Sequence, residues 1–130
     1  MIVSLDHIVL TVKSIAKSKY FYSEILGLKY EEFKSEESDE YRSCLKFGNQ
    51  KINLHQLDNL IHPGAKFPTT GSADICFISK LSINEWVKIL VKKNIKIVKG
   101  PVSQVGANKN LRSIYIRDPD FNLVEIANYK

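Results

Sequence analysis

The chain has 130 residues, 44% of them hydrophobic and 25% charged, which suits one globular domain and argues against a disordered chain. Its net charge is +5, but the lysines are scattered over stretches that read as solvated helix faces, so a small anionic substrate fits better than nucleic acid. No apolar run approaches the roughly 20 residues of a bilayer span, and Met1 to Asp6 has no charged segment followed by an apolar one, so neither a membrane partner nor a signal peptide is expected and the location expected is cytoplasmic.

Residues 2–12 are mostly apolar and β-branched and read as a strand. Ser14 offers an N-cap, and Ile15, Phe21, Tyr22, Ile25 and Leu26 form the apolar stripe of a helix that Gly27 stops in the left-handed region. Residues 28–33, 41–47 and 51–57 read as strands, with a charged turn at 36–40 and a Gly48-Asn49 turn. Residues 58–71 form a loop marked by Pro63, Gly64 and Gly71, in which His62 reads as a surface residue. The same order then returns. Residues 73–79 read as a strand, and Ser82 with Glu85 forms a capping box before Trp86, Ile89 and Leu90. Residues 95–98 read as a strand that Gly100-Pro101 breaks, 102–110 as loop, and 111–117 with 122–128 as a closing hairpin.

Strand–helix–strand–strand–strand, twice, is an architectural repeat. The expected fold class is α+β, a single domain over 1–130 with module one at about 1–58, a linker at about 59–71 and module two at about 72–130. A half of this size buries too little alone, so the halves are expected to share their sheet surfaces. Cys44 and Cys76 lie outside any C-x-x-C pair and are expected as two buried thiols.

Four polar residues interrupt apolar strands: His7, His55, Asp74 and Glu125. Each sits on the first or last strand of its half, and the spacing from His7 to His55 nearly equals that from Asp74 to Glu125. A lone strand histidine is more often a satisfied polar residue than a ligand. Four such residues at repeat-equivalent places are expected to converge on one divalent cation, since two imidazoles and two carboxylates suit Zn²⁺, Ni²⁺, Mn²⁺ or Fe²⁺.

The opening Leu5-Asp6-His7-Ile8-Val9-Leu10-Thr11-Val12, the helix carrying Phe21-Tyr22 and Leu26-Gly27-Leu28, and the closing Asp118-Pro119-Asp120-Phe121-Asn122-Leu123-Val124-Glu125 resemble the vicinal oxygen chelate (glyoxalase, bleomycin resistance, dioxygenase) superfamily. The resemblance covers nearly the whole chain. Within that superfamily it is nearest to small glyoxalase-domain proteins, including members labelled virulence-associated. It implies two βαβββ modules forming an open cupped mixed sheet, usually in a homodimer, with metal ligands at His7, His55, Asp74 and Glu125. Two residues depart from the family pattern. Phe121 stands where the closing motif usually has glycine, and Asp74 stands where many members carry histidine. Without Asp74, His7, His55 and Glu125 would make a 2-His-1-carboxylate set.

The resemblance implies a metal-dependent lyase or isomerase acting on a small chelating substrate such as a glutathione hemithioacetal, as lactoylglutathione lyase does. Glu125 is the expected base. Tyr115 and Arg117, alternate residues of one strand, are candidate substrate contacts, against the plainer reading of a packed tyrosine and a solvated arginine. The competing readings are thiol transfer to an epoxide antibiotic, extradiol-type dioxygenation, and a metal-free drug-sequestering protein of the bleomycin-resistance kind. The last has no need of the three-residue metal set.

Overall fold

The computed structural model describes residues 1–130, which divide into two compact units, Met1–Gly71 and Ser72–Lys130. The loop expected as a linker is part of the first unit. No helix is long and apolar enough to cross a membrane.

In unit 1, strand β1 (His7–Val12) leads to helix α1 (Ile15–Lys19), followed by β2 (Lys29–Lys34), β3 (Tyr41–Phe47) and β4 (Gln50–Gln56). The sheet order is β1-β4-β3-β2, with β1 parallel to β4 and the other pairs antiparallel. The first strand begins at His7 rather than residue 2. Its partner β4 starts at Gln50, in register just before His7, so residues 2–5 have no ladder to join and Asp6 only accepts the Lys51 N–H at 3.3 Å. Ser14 caps α1 as expected, its side chain accepting from the Lys17 N–H. The helix then widens into a π-helical segment, Tyr20–Ile25, in which the Leu26 N–H reaches back five residues to the Phe21 carbonyl. Both neighbours Phe21 and Tyr22 are buried there, their rings edge to face at 4.9 Å. Gly27, at φ 82°, lets the Leu28 N–H close the helix on the Tyr22 carbonyl. The core of the unit is Leu10, Val12, Tyr22, Leu45, Ile52 and Leu54.

Unit 2 repeats the plan with β5 (Asp74–Ile78), α2 (Ile83–Lys92), β6 (Lys99–Val105), β7 (Asn110–Arg117) and β8 (Leu123–Tyr129), in the order β5-β8-β7-β6. Ser82 accepts from the Glu85 N–H, while the Glu85 carboxylate turns outward to Lys88 at 3.7 Å instead of reaching back. Asn128 anchors the same helix end, accepting from the Ile83 N–H at 2.7 Å. Ile83, Leu90, Ile114, Ile116, Val124 and Ile126 form the core.

β6 also departs from expectation, including in residues 102–105, expected as loop. Residues 95–98 lie outside any strand, and β6 runs straight through Gly100-Pro101, where a break was expected. Proline lacks an N–H, but the β6–β7 ladder shifts register between Lys99 and Val102 on the edge of the sheet, where the missing donor costs no pairing. Gly100 has φ 103°, and a Cβ there would lie 2.5 Å from the Ser113 carbonyl oxygen, so two strands approach at a spot only glycine allows.

Candidate functional site

Each sheet buries one face against its helix and leaves a polar face. On β1 and β4, Leu10, Val12, Ile52 and Leu54 are buried, so strand alternation sends His7, Val9, Thr11, Lys51, Asn53 and His55 to the opposite face. His7 is about half exposed, and its Nδ1 meets Asp6 Oδ1 at 2.7 Å. That bond holds the Asp6 carboxyl below its ordinary range. A neutral imidazole donating from Nδ1 to this carboxylate would have its Nε2 lone pair available to a cation, the arrangement of a metal-ligating imidazole.

Unit 1 does not bring His7 and His55 together. His7 is in register with Lys51 and His55 with Thr11, so the two imidazoles are offset by four residues, roughly 13 Å along the strands. The near-equal sequence spacing therefore does not mark equivalent places. Asp74 is in register with Leu123 and Cys76 with Glu125, an offset of two residues. The residue standing to His7 as Glu125 stands to Asp74 is Asn53, a neutral amide whose buried Oδ1 accepts no hydrogen bond. His55 instead lines a cleft of about 380 Å³ with Phe33, Arg42 and Asn53. Burial, followed by the Arg42 charge, lowers its pKa.

In unit 2, Val124 and Ile126 are buried against the helix side, which turns Glu125 to the other face. Ser113 donates its Oγ–H to Glu125 Oε2 at 2.6 Å, a charge-assisted bond from a fully buried hydroxyl. Cys76 and Tyr115 flank Glu125 on the two neighbouring strands. Burial first, then the Glu125 carboxylate, pushes the Cys76 thiol and the Tyr115 hydroxyl each up to about 12. Cys76, expected as a buried thiol, is a surface residue of this face whose sulfur is nonetheless desolvated by its strand neighbours, whereas Cys44 is buried, and neither forms a disulfide. Asp74 lies diagonal to Glu125 on the same face, a spacing within reach of one shared cation. Arg117 is tied to the turn, its Nη1 donating to the Phe121 carbonyl at 3.3 Å. Phe121 takes φ 65°, so it adopts the left-handed turn that glycine would.

The donors fit a hard or borderline divalent ion only in part within each unit. Unit 1 offers one outward imidazole, and unit 2 offers a diagonal pair of carboxylates. Within neither unit do three His, Cys, Asp or Glu side chains gather as a metal cluster.

Twice-repeated βαβββ units, each with an ionisable polar strand face, define a class of α+β small-molecule proteins. The chain belongs to the Glyoxalase/Bleomycin resistance protein/Dioxygenase superfamily, whose model matches residues 4–126. It is 48% identical over 125 residues to virulence protein STM3117 of Salmonella typhimurium, covering 96% of this chain and 83% of that one. The crystal structure of STM3117 superposes with a TM-score of 0.89 at 45% identity, covering 100% of this chain and 99% of the other. It is 42% identical over 127 residues to the glyoxalase domain-containing protein RDO1 of Mycosarcoma maydis, covering 98% of this chain and 69% of RDO1. Lactoylglutathione lyase from Agrobacterium tumefaciens shares the fold, with a TM-score of 0.70 at 21% identity over 96% of this chain and 92% of that one. The two four-stranded mixed sheets are those of the glyoxalase fold.

Proposed function

We propose that the chain is a divalent-metal-dependent enzyme of the glyoxalase type, a lyase or isomerase acting on a small chelating substrate such as a glutathione hemithioacetal, and that it works as a homodimer. His7, Asp74 and Glu125 are its protein ligands. His55, the second imidazole expected from sequence, is left out of the ligand set, because its register separates it from His7. A bound Zn²⁺, Ni²⁺, Mn²⁺ or Fe²⁺ would supply Lewis-acid stabilisation of an oxyanion on the substrate.

The observation that carries the reading is the Glu125 carboxylate, held at Oε2 by Ser113 between the buried Val124 and Ile126. Glu125 is the base that accepts a proton from substrate carbon. Ser113 fixes the carboxylate plane. Tyr115 and Cys76, at about 12, stay protonated at neutral pH, so neither competes as a base. Cys76 is accordingly no ready thiolate nucleophile. Tyr115, beside Glu125 on the neighbouring strand, is the proposed donor to the same substrate, and Arg117 serves the turn beside it.

A metal-free binding protein is the second reading, favoured by the cleft in unit 1, which needs no cation. The experiment is conversion of the methylglyoxal–glutathione adduct by the purified chain with each of the four metals. Glu125→Gln is expected to keep the fold and lose at least about 100-fold in turnover. Full activity in Glu125→Gln would place the base elsewhere, and no turnover with any metal would favour the binding protein.

A further inference from the structure

The cleft of about 380 Å³ in unit 1 is lined by Arg42, Asn53 and His55, and also by Lys34 and Glu36. Arg42 is a fixed cation that takes part in none of the molecule's ion pairs, whereas neighbouring Lys34 is neutralised by Asp39 at 3.1 Å. Asn53 presents a buried Oδ1 with no donor, a costly state for a polar atom. His55 is kept neutral by burial and by Arg42. Ser43 pairs with Leu54 and Cys44 with Asn53, so Arg42 falls opposite His55 and diagonal to Asn53, all on one face. Phe33 and Ile61 supply apolar wall.

We propose that this cleft binds a small 2-hydroxycarboxylate, its carboxylate on the Arg42 guanidinium and its hydroxyl donating to Asn53 Oδ1, with an apolar body against Phe33 and Ile61. A guanidinium fork matches a carboxylate, and the orphaned acceptor asks for a neighbouring O–H. The site lies wholly within unit 1 and does not depend on a bound metal.

The test is a titration of the full chain, with chelator present, followed by amide chemical shifts. The probes are mandelate, phenylacetate (no hydroxyl) and mandelamide (no carboxylate). Mandelate is expected to shift Arg42, Asn53 and His55 saturably. Phenylacetate should bind about fivefold more weakly, and mandelamide about tenfold or more. Arg42→Gln should abolish the advantage of mandelate over mandelamide, and Asn53→Leu its advantage over phenylacetate. The proposal is overturned if the three probes bind alike, if the shifts map elsewhere, or if folded variants keep both advantages. If a variant fails to fold, the three-probe comparison on the unaltered chain decides alone.

Discussion

Replacing His55 by alanine separates what the spacing of the sequence suggests from what the strand register dictates. Donors on one cation bond at about 2.0–2.1 Å and so lie roughly 3 Å apart. His7 and His55 are offset by four residues on adjacent strands, roughly 13 Å along the sheet and about 4.8 Å across it. Two imidazoles so placed do not close onto one ion while the β1–β4 ladder holds. His7, by contrast, has its Nδ1 on Asp6 at 2.7 Å and its other nitrogen outward. His7→Ala is therefore expected to weaken Zn²⁺ binding by about 100-fold or more, roughly 2.7 kcal/mol, and His55→Ala by less than about threefold. Competition against a chromophoric zinc chelator reads both. An equal loss in the two variants would refute the register reasoning and restore His55 as a ligand.

Other substitutions probe the fold and the electrostatics. Gly100→Ala should cost at least about 3 kcal/mol and lower Tm by roughly 10 °C, because its Cβ would meet the Ser113 carbonyl oxygen at 2.5 Å. Gly48→Ala, with φ 51° and open space, should cost only about 1 kcal/mol; equal losses in thermal melts would contradict the close approach. For metal-free protein, the lowered pKa of His55 means that the unfolded chain takes up its proton first as pH falls. The stability from the neutral imidazole is thus present above the unfolded value of 6.5 and is lost below it. Arg42→Gln should raise the His55 pKa without restoring it fully, since burial is the larger cause; an unchanged value in a ring-proton titration would count against the Arg42 contribution.

The repeat of strand, helix and three strands was legible because apolar alternation, the caps at Ser14 and Ser82 and the stop at Gly27 all agree locally. The course of β6 was not, because Gly100 and Pro101 are breakers in isolation and tolerated only at an edge with a register shift. Glu125 stood out as a charge inside Leu123-Val124-Glu125-Ile126. The partner that holds it, Ser113, carries no local signal and emerges only from the β7–β8 pairing. Asn53, a neutral amide, carries no sequence signal beside the more conspicuous His55. Counting residues between His7 and His55 cannot reveal register, since β1 and β4 are joined through a helix and two strands. Arg42 and the exposure of Cys76 likewise depend on cross-strand neighbours.

Anomalous diffraction from crystals grown with Zn²⁺ and recorded at the zinc edge tests the proposed centre most directly. The expected map has one strong peak per chain, bonded to His7 Nε2 and to carboxylate oxygens of Glu125 and Asp74 at about 2.0–2.2 Å. A fully zinc-exposed crystal with no peak on Glu125, or with zinc bound by His55 in place of His7, would contradict it.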